Sequence, residues 1–128
     1  MRWFGKNKQK DPWDEEIAWP IDDLAAAKKI RTICNAAVAG AQQLNGRADR
    51  RADQRNKQDA ERYVRAARTA MEIAMKIADD PIRDAAVRQI IGLCMMLENS
   101  QTAQILVRAI RAEAIKAEVL NEYPVLRQ

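Results

Sequence analysis

The sequence predicts an all-α protein: an antiparallel bundle of four main helices with a short N-terminal aromatic arm. Alanine dominates the apolar residues, and glycine and proline number only four each, a composition that favours helices. Apolar residues also recur at spacings of three and four, which is the helical period. Helix ends are marked by four residue pairs: Asp11-Pro12, Asn45-Gly46, Asp80-Pro81 and Asn99-Ser100.

These breaks divide the chain into three segments: an arm of residues 1–20, a helical bundle of residues 21–122 and a tail of residues 123–128. A chain of 128 residues is expected to form one domain that needs neither metal nor disulfide to fold. We predict helices from Asp22 or Asp23 to Leu44, from about 48 to 79, from Pro81 to Glu98, and from an N-cap at Ser100 to about Glu122.

Most of the aromatic residues lie in the arm. Residues 1–20 contain Trp3, Phe4, Trp13 and Trp19. The only aromatic residues after position 20 are two tyrosines. Asp11 fits an N-cap before a proline, and the proline after Trp19 stops the short helix. Because each buried aromatic side chain removes about 150 to 250 Å² from water, we expect these four residues to anchor the arm on the bundle, a second copy or a partner.

The stretch from Ile90 to Leu97 is apolar on every side of its helix. Its two stripes face different directions, so one packing partner cannot cover both. We therefore expect one side to pack within the bundle and the other to meet a second subunit. The predicted self-association strip joins that second side to the last helix: Val87, Ile91, Met95, Ile115 and Val119.

Positive charge is concentrated in residues 45–68, which include eight basic and four acidic residues. This surplus of four equals the formal net charge of the whole chain, +4. At about 100° per residue, the basic side chains fall within roughly 160° of arc, opposite the apolar stripe. We call this the basic face, and it comprises Arg47, Arg50, Arg51, Arg55, Lys57, Arg62, Arg65 and Arg68.

The basic face has two interpretations. A solvated surface of an Ala/Arg-rich helix explains it without any ligand. Alternatively, it binds an acidic protein or a nucleic-acid backbone, because arginine forms paired hydrogen bonds with carboxylates and phosphates. Base-specific recognition has no support, since only Tyr63 is near enough to stack and no nucleic-acid-binding motif occurs.

We therefore expect a non-catalytic interaction or adaptor protein that self-associates and binds an acidic partner. The alternative is a sequence-nonspecific nucleic-acid-binding protein that uses the face from Arg47 to Arg68. The chain has no histidine, which removes the commonest general base and metal ligand. It also lacks a glycine-rich phosphate loop and a zinc-type cysteine spacing, so we expect no enzyme activity, cofactor or metal.

The sequence also bears on location. No apolar run approaches the roughly 20 residues that span a bilayer, and none of signal-peptide length follows the N terminus, so we expect a cytoplasmic protein. The first ten residues resemble an interfacial anchor in composition, but the acidic residues from Asp11 onward argue against a membrane-surface role. Cys34 and Cys94 fit buried reduced thiols, with an inter-helix disulfide as the alternative.

Overall fold

The computed structural model describes residues 11–45 and 53–127, and within them the side chains of residues 11–43 and 60–127. Every regular element in this part of the chain is helical, which confirms the all-α class. The α-helices are α1 (Asp23–Asn45), α2 (Asp53–Ala74), α3 (Asp80–Met96), α4 (Ser100–Ala109) and α5 (Glu113–Glu122), and two short 3-10 helices span Pro12–Asp14 and Pro124–Leu126. None of these helices is long and apolar enough to cross a bilayer.

α3 lies at the centre of the fold, because it contacts α1, α2, α4 and α5. Ile90, Ile91, Leu93 and Cys94 are fully buried, with exposed fractions of 0%. Met95 is half-buried against the same core. The all-round apolarity of α3 is therefore satisfied by neighbouring helices of one chain, and it does not require the second subunit that the sequence suggested.

α1 begins and ends as the sequence predicts, to within one residue. The Asp22 carboxylate accepts a hydrogen bond from the Ala25 N–H at 2.7 Å, which satisfies a free donor of the first turn. Asp23 reaches further and accepts from the N–H groups of Ala78 and Asp79, at 3.2 and 2.9 Å. The start of α1 therefore also fixes the link between α2 and α3.

Several helix ends differ from the prediction. α3 begins at Asp80 and not at Pro81, because the Asp79 side chain is its N-cap and accepts from the Ile82 N–H at 3.0 Å. It ends at Met96 and not at Glu98.

α2 ends at Ala74 and not at residue 79, because the following residues form the link that Asp23 holds. The other end of α2 adjoins residues 46–52, which lie outside the described part of the chain. The N-cap of α4 is Asn99 and not Ser100, since the Asn99 side chain accepts from the Thr102 N–H at 3.3 Å.

The predicted final helix is two helices. The chain leaves helical geometry at Ile110, where φ is −70° and ψ is 129°, and returns to it after Ala112. The cause lies on α3, where Asp84 is only 1% exposed. Its carboxylate accepts from the N–H groups of Arg111 and Ala112 at 3.1 and 2.9 Å. These two contacts replace the hydrogen bonds that a continuous helix would make, so they stabilise the break.

Candidate binding surfaces

The structure describes three side chains of the basic face, all on α2. Arg62 is half-buried, whereas Arg65 and Arg68 are exposed. The other predicted members have side chains outside the described residues: Arg47, Arg50, Arg51, Arg55 and Lys57.

Residues 11–14 lie against this end of the basic face. Asp11 accepts from Arg62 Nε at 2.7 Å and also from a terminal nitrogen of the same guanidinium. Asp14 makes a matching two-pronged contact with Arg65, with both distances at 3.3 Å. Paired contacts of this kind give arginine–carboxylate recognition its geometric specificity. Two of the three described arginines therefore already bind a carboxylate of their own chain.

Trp13 holds this segment on the protein. It is 5% exposed, and its ring meets the Tyr63 ring edge-on, with centroids 6.0 Å apart and planes at 71°. The Arg62 guanidinium lies 5.8 Å from the Trp13 ring centre and 5.6 Å from that of Tyr63, within cation–π range. The exposed pair of Arg65 and Asp14 contributes only about 0 to 1 kcal/mol, so burial of Trp13 and the part-buried pair of Arg62 and Asp11 hold the segment.

The other predicted arm anchors differ from Trp13. Trp19 is 42% exposed, and the Lys76 amine stands 4.7 Å from the centre of its ring. Trp3 and Phe4 lie outside the described residues. Among the described anchors, Trp13 is thus a core residue and Trp19 a surface residue.

The predicted self-association strip is not an exposed surface. Val87, Ile91 and Val119 are at most 2% exposed within the single chain. Met95 and Ile115 are half-buried and pack against the same core. A subunit interface built on these residues would require the core to open. The strip therefore gives no support to self-association, which stays a prediction from the sequence.

A pocket that the sequence did not predict lies among α2, α3 and α4, with a volume of about 320 Å³. Its lining combines apolar side chains with three arginines, and we call it the arginine pocket. The residues that define it are Met71, Met75, Arg83, Val87, Leu106, Arg108, Ile110 and Arg111. The arginines come from α3, the last turn of α4 and the α4–α5 link, so no periodicity within one helix would group them.

The three guanidinium groups have different environments. Arg83 Nε is buried and has no hydrogen-bond acceptor among the described residues, although a terminal nitrogen of Arg83 lies 3.4 Å from the Ala109 carbonyl oxygen. Arg111 Nε lies 3.5 Å from a carboxylate oxygen of Asp80. Arg108 is exposed. No acidic residue belongs to the described lining, so the pocket carries a net positive charge.

Cys34 and Cys94 are free and buried, as expected of reduced thiols. Burial raises the pKa of Cys34 from 9.0 to about 12, with a further contribution from Cys94 nearby. Burial also raises the pKa of Cys94, to about 11. Both thiols are therefore protonated at neutral pH, which makes them poor nucleophiles.

The chain matches no protein-family model, no curated protein and no solved structure.

Proposed function

We propose that this protein is a non-catalytic helical interaction protein that binds an acidic partner protein through the basic face. The observation that supports this proposal is the two-pronged pairing of Asp11 with Arg62 and of Asp14 with Arg65. The two aspartates are three residues apart in the chain, and so are the two arginines. A partner segment with acidic residues at helical spacing would meet the same guanidinium groups in the same way.

The intramolecular pairs also suggest how binding is limited. Asp11 and Asp14 occupy the Arg62 and Arg65 end of the basic face, whereas Arg68 is exposed. An acidic partner that uses the whole face must compete with the chain's own carboxylates at this end. The exposed pair of Arg65 and Asp14 contributes about 0 to 1 kcal/mol, so a partner with several carboxylates can displace it.

We also propose an antiparallel arrangement of the main helices and an aromatic arm. The main helices form an antiparallel bundle, which the short link between α2 and α3 supports, because brief connections join antiparallel neighbours. Residues 1–20 act as an aromatic arm, which the burial of Trp13 against Tyr63 supports. The arm thereby brings its carboxylates to the basic face.

The alternative partner is a nucleic acid, which would use the same arginines for phosphate contacts. Tyr63 is only 7% exposed and is packed against Trp13. It is therefore not available to stack on a base, and stacking on aromatic residues is a main source of single-strand affinity. Duplex DNA is accordingly the competitor to compare with an acidic peptide.

The test is a fluorescence-anisotropy titration of a labelled polyglutamate peptide, with labelled duplex DNA in a parallel series. Changing both Arg65→Glu and Arg68→Glu should weaken polyglutamate binding by about tenfold or more, because two attractive charges become repulsive. The matched control changes Lys28→Glu and Arg31→Glu, which are exposed residues of α1 with the same spacing. The control alters the net charge equally and should weaken binding far less.

Two outcomes would contradict the proposal. One is the absence of saturable polyglutamate binding at low salt. The other is an equal loss in the α1 control, which would indicate attraction to net charge alone. Tighter binding of duplex DNA than of polyglutamate, abolished by the α2 changes, would establish the nucleic-acid alternative in its place.

A further inference from the structure

The arginine pocket contains a guanidinium, that of Arg83, whose hydrogen bonds are incomplete among the described residues. Arg83 Nε is buried and unpartnered among the described residues, and buried polar groups in native proteins nearly always have a hydrogen-bond partner. The contact from Arg83 to the Ala109 carbonyl, at 3.4 Å, lies beyond the usual range for N–H···O bonds. Arg83 lines the pocket and is only half-buried, so the part of its guanidinium that reaches the pocket retains capacity for an acceptor that the described residues do not supply.

The charge of the pocket defines the acceptor as an anion. Arg108 and Arg111 line the same pocket as Arg83. Asp80 partly compensates Arg111, at 3.5 Å from its Nε. No described carboxylate pairs with Arg83 or Arg108. An anion within the pocket would meet guanidinium groups that form charge-assisted hydrogen bonds in fork geometry.

The remaining lining is apolar, which indicates that the ligand is not a bare ion. Leu106 and Ile110 are buried at the wall of the pocket, whereas Met75 is 69% exposed beside it. Methionine side chains adapt to irregular apolar ligands. A volume of about 320 Å³ lies at the small end of ligand pockets, which run from about 300 to 1,000 Å³. The space therefore fits a small molecule better than a folded partner.

We propose that the arginine pocket binds a small anion with a short apolar chain, either a carboxylate or a phosphate monoester. The anionic group pairs with Arg83 and Arg108, and the chain lies against Met71, Met75 and Leu106. This site uses residues other than those of the basic face. Its success or failure is therefore independent of the function proposed above.

Titration calorimetry with four probes tests the ligand chemistry: octanoate, octyl phosphate, octylamine and acetate. We expect saturable binding at one site per chain for octanoate, octyl phosphate or both, which also identifies the anionic group. Octylamine should not bind, because its charge has the wrong sign, and acetate should bind at least tenfold more weakly, because it lacks the chain. The absence of binding by both anionic amphiphiles would overturn the proposal, as would equal binding of octylamine or acetate.

Methyl NMR of labelled methionine locates the ligand. Met71 and Met75 line the pocket, so their signals should shift on titration with the bound probe. Met95 and Met96 pack elsewhere on α3 and serve as internal references. Shifts confined to Met95 and Met96 would place the ligand outside the pocket and contradict the assignment.

Substitution tests the role of the arginines. Arg83→Gln should weaken binding of the anionic probe by about tenfold, the loss that accompanies one charge-assisted hydrogen bond. Arg108→Gln is a second variant, at an exposed position, and should also weaken binding of the anionic probe. It decides the test if Arg83→Gln unfolds the protein. The matched control is Arg88→Gln, on the same helix but paired with Glu118, which should bind as the unaltered protein does. Unchanged binding in both pocket variants would overturn the proposal.

Discussion

Gly40 shows how the absence of one side chain determines the contact between α1 and α2. A Cβ atom added at Gly40 would overlap the hydroxyl group of Tyr63 and lie 2.7 Å from its Cε1 atom. Tyr63 cannot easily retreat, because it is 7% exposed and packs against Trp13. Position 40 therefore requires glycine because a side chain does not fit there. Backbone geometry is not the reason, since Gly40 does not have a positive φ.

We expect Gly40→Ala to lower the free energy of unfolding by about 1 to 3 kcal/mol, which is the usual effect of overfilling a packed core. Alanine has the higher helix propensity, so the loss would have a steric cause. Urea unfolding measures it. Gly92→Ala on α3 is the control, since its added Cβ would meet only Tyr123 Oη at 3.7 Å, and it should be neutral or stabilising. Equal effects at the two glycines would contradict the steric explanation.

The sequence carries part of the signal for this contact. The run of small residues in the second half of α1 leaves room for another helix to approach closely, and the fit of Tyr63 over Gly40 is such an approach. The sequence did not indicate that Tyr63 fills the space. Residues so far apart in the chain have no periodic relation, and only the packing of α2 on α1 brings them together.

At the scale of elements, the division of the last predicted helix depends on Asp84. Apolar spacing continues from α4 into α5, so periodicity alone gave one helix. A signal was nevertheless present in α3, because Asp84 lies three residues before Val87 and seven before Ile91, on the same apolar stripe. A carboxylate on a buried stripe requires donors, and the nearest available donors are backbone N–H groups released by a helix break.

Asp84→Ala should destabilise the protein by about 2 to 4 kcal/mol, because it leaves the part-buried N–H groups of Arg111 and Ala112 without their acceptor. Asp84→Asn should cost less, since the amide oxygen still accepts one hydrogen bond. Thermal or urea unfolding measures the loss, and faster hydrogen exchange at the two amides localises it. Asp80→Ala is the control, because Asp80 is exposed. A loss at Asp84 no larger than at Asp80 would contradict the assigned role.

At the scale of the whole molecule, the central position of α3 explains which sequence predictions agree with the structure. Composition and helix-end signals were sufficient for the all-α class and for the bounds of α1. They did not show that α3 contacts four other helices. The sequence therefore suggested that the second apolar stripe of α3 meets another subunit. The arginine pocket was missed for the same reason. Arg83 and Arg111 are on different elements, and Arg111 arrives there only because the helix breaks.

Residues 11–16 of the arm contain four acidic residues and no basic one, so this segment and the basic face have opposite signs. The sequence located the basic residues of α2 but did not pair Asp11 and Asp14 with Arg62 and Arg65, which are 51 residues away in each case. This pairing makes the basic face a surface that already accepts carboxylates. Neutralising the two aspartates should therefore make the face more available to an acidic partner.

The most direct measurement is the affinity for polyglutamate of a variant that combines Asp11→Asn with Asp14→Asn, by fluorescence anisotropy at low salt. Its control combines Glu16→Gln with Glu113→Gln, two exposed residues whose change alters the net charge equally. We expect the aspartate variant to bind about two- to tenfold more tightly than the control, because the exposed Asp14 pair, which contributes about 0 to 1 kcal/mol, and the part-buried Asp11 pair no longer compete. Affinity equal to or lower than that of the control would contradict the proposed role of the basic face.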